Sequence, residues 1–320
     1  MSKPRRFYRD VDGILLLDKR LGLSSNAALQ EARALFGAKK AGHAGSLDPL
    51  ASGVLPVCFG QATKVCGRLL NSGKTYQVRV HLGARTESGD LESPIIETAP
   101  VPALDEAAVD AVLRSFEGEQ TQVPPMHSAL KFEGKRLYEL ARRGETVERP
   151  ARQITLRGLR RISLTQDRLE FEVHCSKGTY IRTLASDVAA RLGTLGYVEG
   201  LRRVSVDPFG GLRAYTIEEL AAMSLAERDA VLLAADAAFL DLPRVDLDAS
   251  QERKILLGQT IDLGGSAPVL PGEARAYGVN GRFLGLVAAQ PGNRIKPERL
   301  FLAVEGGEGG TAAVSAAGGP

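Results

Sequence analysis

The sequence predicts an α+β fold: a mixed, largely antiparallel sheet with flanking helices, followed by a small C-terminal β domain. Three observations predict it. The segments "KTYQVRVHL" and "RLEFEVHCS" alternate apolar and polar residues, as strands with one wet face do. Amphipathic helical stretches are interspersed among the strands. Beyond about residue 244 the texture changes to short β segments. With 320 residues the chain exceeds the size at which a single core stops growing, so two domains are expected. The reading is a basic N-terminal segment over 1–12, a large domain over 13–243, a small one over 244–305, and a low-complexity, disordered tail over 306–320.

In chain order, "GILLLDK" reads as a short buried strand. "LGLSSNAALQEARALFG" reads as a helix that Ser24 or Ser25 caps, with an apolar stripe from Ala28, Leu29, Ala32, Leu35 and Phe36, and Gly37 as its stop. A turn over residues 43–53 follows, then a buried strand "VLPVCFG". On "KTYQVRVHL", Tyr76, Val78, Val80 and Leu82 share one face. "LDEAAVDAVLRSFEG" is an amphipathic helix presenting Val109, Val112, Leu113 and Phe116. "PPMHSALKFEGKRLYELARRG" reads as a loop, a short strand, a turn at Gly134 and a helix ended by Gly144. After "RLEFEVHCS", the Gly178 turn leads into a helix from about Thr183 to Arg191. "TIEELAAM" opens with a capping box, Thr216 with Glu219, and starts a helical region running toward Leu240. "LDLPRVDL" is a linker, and "ARAYGVNGRFLGLVAA" a hairpin on Asn280–Gly281.

The net charge of +3 does not by itself announce a nucleic-acid binder, but basic residues cluster in "KPRRFYR", "ARRGETVERPARQ", "RGLRR" and Arg202–Arg203. Each cluster alone reads as solvated surface. Cys58, Cys66 and Cys175 are odd in number and lack CxxC spacing, so buried free thiols are expected. No signal-peptide core or bilayer-length apolar run is present, and the reading is a cytoplasmic protein without membrane contact. No GxGxxG, GxxxxGK[ST] or GxSxG motif occurs. The four histidines His43, His81, His127 and His174 are scattered, so no metal and no cofactor is indicated. Carboxylate chemistry is then the natural possibility.

That directs attention to "HAGSLDPLASG". Gly42, Gly45 and Gly53 give backbone freedom, and the small side chains leave room for a flat ligand. Pro49 biases Asp48 toward extended backbone and so aims its carboxylate. Spacing alone favours an ordinary Asp–Pro turn in which Asp48 satisfies its own backbone.

The exact residues carry more. "AGHAGSLDPLASGVLPVCFGQATK" resembles the A-G-H-x-G-x-L-D-P-x-A-x-G-x-L-P … G-x-A-T-K motif of the TruB family of tRNA pseudouridine synthases. In order along residues 13–210, "LLLDKRLGLSS", "KTYQVRVHLGARTESGD", "VPPMHSALKFEGKRLYELARRG", "CSKGTYIRTLASD" and "LRRVSVDPF" resemble further motifs of that family. "NGRFLGLVAA" and "RIKPERLF" resemble the small PUA domain that often follows. The resemblance implies the pseudouridine synthase fold with a PUA-like C-terminal domain. It also implies isomerisation of a flipped-out uridine in the T-loop of tRNA, at position 55, without cofactor.

The resemblance further implies that Asp48 is the essential carboxylate, acting on the sugar as nucleophile or as base. Tyr76 would stack on the base; by its own pattern it is a core tyrosine. Arg182 would pair with Asp48, as a guanidinium fork fits a carboxylate; unaided, it reads as a surface charge near a helix start. Leu201 would pack near the base, and His43 would enter the T-loop. Lys19 and Lys64 would contact phosphate or order loops, and Tyr180 would join the substrate site. The segment holding Lys131, Lys135, Arg136, Arg142 and Arg143 would clamp the RNA. The C-terminal domain would contact the acceptor end. Three departures from the family pattern are Arg20 for proline, His127 for an aromatic residue, and Ser93 for glycine.

Two other functions are weighed: a non-catalytic tRNA-folding protein and a guide-RNA-dependent synthase subunit. The intact clamp-like block favours stand-alone action on the T-arm, with no obligatory protein partner and a monomer expected.

Overall fold

The computed structural model describes residues 8–128, 130–132, 134–141, 143–264 and 270–301. The expected tail and most of the basic N-terminal segment lie outside them. The apolar run "GILLLDK" is β1 (Gly13–Lys19). Helix α1 (Ser25–Phe36) follows; the Ser24 hydroxyl caps it by accepting from the Ala27 N–H, and Gly37 ends it at φ 59°. Next come β2 (Ala41–His43) and β3 (Ala51–Phe59), so the turn between them is shorter at both ends than the sequence suggests. Residues 51–53 join the strand because they pair with residues 201–203.

A 3₁₀ turn (Gly60–Val65) and α2 (Cys66–Asn71) lead into β4 (Lys74–Leu82), which buries Tyr76, Val78, Val80 and Leu82 as its alternation predicts. An unforeseen hairpin, β5 (Ala84–Thr86) and β6 (Ile95–Thr98), precedes α3 (Glu106–Ser115) and β7 (Gly118–Gln122). The short strand β8 (Lys131–Phe132) and the turn at Gly134 are as read; a second strand, β9 (Lys135–Arg136), pairs with β8 before α4 (Leu137–Ala141), which ends ahead of Gly144. β10 (Arg152–Leu164) was hidden by its basic composition and by bulges that break its two-residue period. β11 (Arg168–Cys175), α5 (Ile181–Arg191) and β12 (Gly196–Val206) complete the large unit.

Its eight strands run β1-β3-β12-β4-β11-β10-β7, with β2 also on β3; only β3 and β12 are parallel. One face buries Val78, Val80 and Phe171 under Val109, Leu113, Leu184 and Val188 of α3 and α5. Across β3, Leu15, Leu17, Leu55 and Val57 pack on Ala28, Ala32 and Phe36 of α1.

The helical region toward Leu240 is not continuous. It breaks into α6 (Ile217–Ala222), α7 (Leu225–Ala230) and a 3₁₀ turn (Ala235–Phe239). Met223 is extended (ψ 149°), and Ser224 with Glu227 forms a second capping box that restarts the helix.

The C-terminal unit is a five-stranded sheet, β13 (Arg244–Asp246), β14 (Ile261–Asp262), β15 (Glu273–Tyr277), β16 (Phe283–Gln290) and β17 (Arg294–Leu300), with α8 (Ala249–Leu256) against it. The predicted hairpin is β15–β16, with Asn280 at φ 67° in its turn. Phe239, Phe283 and Phe301 stack across the seam to the large unit. The three cysteines are free, Cys58 and Cys175 buried and Cys66 half-buried. Among the described residues, no helix is long and apolar enough to cross a membrane.

Candidate active site

The turn between β2 and β3 is pinned from beneath. Ser25, 4% exposed, donates its hydroxyl to the Leu47 carbonyl and accepts from the Leu47 N–H, at 3.0 and 2.7 Å. The residue after Leu47 is Asp48. Its carboxylate is held at the surface, about half exposed, while its neighbours Leu47 and Ala51 belong to the core.

Arg182 stands in the first turn of α5 and reaches this carboxylate, with Nη2 3.6 Å from Oδ2. The two residues are 134 positions apart in sequence. Arg182 itself is largely buried and held by three further acceptors. Nη1 donates to the Ser88 carbonyl and to Asp90 Oδ2, both at 3.0 Å, and Nη2 donates to the His127 carbonyl at 2.6 Å. Asp90 is 1% exposed, and it also accepts from the Ser88 hydroxyl and the Glu92 N–H. Arg182 therefore bridges a sealed carboxylate and an open one. This resolves its awkward place at the positive end of a helix: two carboxylates and two carbonyls surround it.

The start of α5 is also fixed. The Gln122 side chain accepts from the Tyr180 N–H and donates to the Tyr180 carbonyl, at 2.8 and 3.1 Å. Tyr180 thus positions Arg182 two residues on through its backbone.

Tyr76 lies in the same apolar cluster as Leu47 and Ala51, with Leu50 and Leu201 packed against it. The core reading of Tyr76 holds, and this core borders the turn. Burial pushes its hydroxyl up, against the pull of the Arg203 charge. Leu201 pairs in register with Ala51 on one side and Val78 on the other. His43 ends β2; burial and the nearby Arg203 charge lower its pKa, and its buried Nδ1 has no hydrogen-bond partner among the described residues.

The two lysines, expected to contact phosphate or order loops, are held by backbone carbonyls. Lys19 is 1% exposed, and its Nζ donates to the Arg20 and Leu23 carbonyls at 3.1 and 2.7 Å. Burial lowers its pKa while the Asp48 charge opposes that. It orders the loop and does not face solvent. Lys64 donates to the Leu300 carbonyl at 2.7 Å and sits 5.6 Å from the Phe301 ring centre, which places it on the seam between the two units. Lys131 lies on β8, and its side chain is outside the described residues, as is Arg142.

Much of the basic surface is internally neutralised. Arg160 pairs with Glu172, Arg161 with Glu106 and Asp110, Arg202 with Asp18, and Arg9 with Asp229. Sequence reasoning missed Asp90, Ser25, Gln122 and Arg203. Asp90 stood in the quoted "ARTESGD", but no local spacing separates it from an ordinary polar loop.

A cleft of about 890 Å³ opens elsewhere, between α2 and the C-terminal sheet, lined by Asp207, Asp241, Glu273, Glu298, Arg68 and Arg299. Its surplus of acids suits it poorly to a polyanion, and the converging groups at Asp48 make the better candidate site.

Residues 33–181 match the model of the TruB family pseudouridylate synthase N-terminal domain. Residues 182–240 match the tRNA pseudouridylate synthase B C-terminal domain, and residues 243–301 match the pseudouridine synthase II TruB C-terminal model. The chain is 46% identical over 297 residues to the tRNA pseudouridine synthase B of Chromohalobacter salexigens, across 93% of this chain and 96% of that one. It is 48% identical over 304 residues to that of Burkholderia mallei, across 94% and 97%. Among solved structures it is similar to a chain of an H/ACA RNP bound to a substrate RNA containing 2'-deoxyuridine (TM-score 0.68, 20% identity, 95% and 92% covered). It is also similar to a chain of a Cbf5-Nop10-Gar1 complex (TM-score 0.66, 22% identity, 93% and 85% covered). At such identities the likeness is one of fold.

Proposed function

This chain belongs to the TruB family of pseudouridylate synthases and is a tRNA pseudouridine synthase; from that premise we propose that it converts the uridine at position 55 in the T-loop to pseudouridine, with Asp48 as its essential carboxylate. The reaction breaks the bond from N1 to C1′, turns the base and joins C5 to C1′; C5 gives up its proton and N1 takes one up. No atom is gained or lost. The target base must leave its stack, at a cost of about a few kcal/mol. The observation that supports the reading best is the exposed Asp48 carboxylate, 3.6 Å from a guanidinium that the protein holds rigid.

In this reading the flipped uridine lies over Tyr76 and Leu201, with its sugar against Asp48. Asp48 attacks C1′ or removes a sugar proton; Arg182 fixes the carboxylate direction for either route. Tyr76 stacks on the ring and lies within the core cluster that borders the carboxylate turn. His43 enters the space of the displaced bases. The block from 124 to 144 closes over the RNA backbone, and its His127 carbonyl ties it to Arg182. The C-terminal sheet meets the acceptor end.

The test is pseudouridine mapping on a bare T-arm hairpin incubated with purified wild-type and Asp48→Asn protein. Wild type forms product without added components; Asp48→Asn binds the hairpin and forms none. Product from Asp48→Asn at a near wild-type rate overturns the role of Asp48. Failure of wild-type protein on the hairpin, with activity restored by a guide RNA, would favour the guide-dependent alternative.

A further inference from the structure

Arg203 has the largest of the fully buried side chains, at 1% exposure. A buried cation is costly unless compensated, and an apolar side chain of similar volume usually serves a purely structural position as well. Among the described residues no carboxylate pairs with Arg203 in an ion pair. Its side chain instead serves the catalytic turn. Nε donates to the Val54 carbonyl at 2.7 Å, and Nη2 donates to the Gly45 carbonyl at 2.9 Å. One acceptor lies three residues before Asp48 and the other six after it.

The backbone of the same residue completes the frame. Arg203 sits opposite Gly53 on β3 and opposite Tyr76 on β4. The turn is shaped to admit it. Gly45 lies at φ +82°, and a Cβ there would fall 3.5 Å from Arg203 Nη1 and 3.2 Å from Lys74 Cε. Burial pushes the Tyr76 hydroxyl up, and the nearby Arg203 charge opposes that.

We propose that Arg203 is a positioning residue of this reaction: its fork holds the Asp48 turn by both ends while its backbone stands opposite Tyr76 on β4, fixing the acid and the stacking ring relative to each other. It touches neither base nor sugar. The inference deepens the assignment of Asp48 and Tyr76 given above and rests on it. Its geometric content is that a planar fork reaches the Val54 and Gly45 carbonyls at once; a lysine supplies the charge at one point.

Arg203→Met and Arg203→Lys are compared with wild type and Asp48→Asn on the T-arm hairpin, measuring kcat, KM and melting temperature. Arg203→Met is expected to lose about a hundredfold in kcat with KM within about threefold, the scale on which a reacting group displaced by about 1 Å loses rate. Arg203→Lys is expected to recover about tenfold of that loss. A folded Arg203→Met with kcat within about threefold of wild type overturns the proposal. So does a loss confined to KM, or a lysine variant no better than methionine. Should Arg203→Met not fold, Arg203→Lys decides: a tenfold lower kcat at unchanged KM supports the role, and a wild-type kcat ends it. Asp48→Asn keeps the two failures apart. Activity in that variant removes the underlying site assignment, whereas an inactive Asp48→Asn beside near wild-type Arg203 variants removes only the inference.

Discussion

Arg182 bridges two carboxylates whose removal should have opposite consequences. Asp90 is 1% exposed and 3.0 Å from Nη1. At an effective dielectric of about 20, that separation corresponds to roughly 5 kcal/mol of attraction before desolvation is subtracted. Asp90→Asn keeps the shape but removes the charge, and leaves the mostly buried guanidinium short of its best partner. Breaking a buried pair from one side costs about 3–5 kcal/mol. For a domain of this size that is a fall in melting temperature of roughly 6–20 °C. Asp48 is about half exposed and 3.6 Å away. Solvent screens such a pair to about 0–1 kcal/mol, so Asp48→Asn should melt within about 3 °C of wild type. Activity should sort the other way. Asp48→Asn forms no pseudouridine, while Asp90→Asn keeps a residual rate, reduced about tenfold to a hundredfold because Arg182 no longer holds its angle. Differential scanning calorimetry and single-turnover assays on both variants test this directly. Equal melting temperatures for Asp90→Asn and wild type, or a destabilised Asp48→Asn, would refute the division of labour.

Two further outcomes follow from the same frame. Gly53 lies at φ +103°, and a Cβ there would meet the Arg203 carbonyl at 2.1 Å, so Gly53→Ala must separate β3 from β12; a loss of at least about 2–3 kcal/mol is expected, and an unchanged thermal midpoint would count against the register. Lys74, buried beneath the turn with its amine on the Leu69, Leu70 and Ser72 carbonyls, is lowered by burial from 10.5 to about 8, below its value in the unfolded chain. Between those two pH values the unfolded chain holds a proton that the folded one has lost, so wild-type stability relative to Lys74→Met should rise with pH across that window, by at most about 3 kcal/mol; a flat difference from pH 8 to 10.5 would refute it.

What was legible in the sequence follows from the range of each signal. Strand alternation in β4 and β11 and the Ser24 and Gly37 helix ends are local, and the structure carries them as read. The Asp48 turn was legible through its residue types. For Lys19 and Lys64 phosphate contact and loop ordering stayed open, because a lysine's sequence neighbourhood does not reveal whether its amine meets solvent. At Lys19 the chain folds the amine back onto its own loop, and at Lys64 a carbonyl 236 residues away captures it. The long helix toward Leu240 failed for a different reason: Ser224 competes as a second cap, and local capping outweighed apolar periodicity. β10 was obscured where bulges shift its register.

The partners of the site's two key arginines explain why so little of it could be read. Arg182 is held by the carbonyls of Ser88 and His127, and Arg203 by those of Gly45 and Val54. Main-chain oxygens are the same on every residue, so these contacts leave no compositional trace. The same fact accounts for the departure at His127. Whatever side chain stands there, the carbonyl that steadies Arg182 is supplied by the backbone. Ser93 acts differently: its hydroxyl pairs with the Ser88 hydroxyl and accepts from the Ser88 N–H, reinforcing the loop that carries Asp90. Replacing the usual glycine there adds a support to the sealed side of the Arg182 bridge and leaves the open side, where Asp48 meets solvent, untouched. The geometry of the carboxylate therefore depends on backbone shape more than on the identity of any neighbour except the two arginines, Asp90, Ser25 and Gln122.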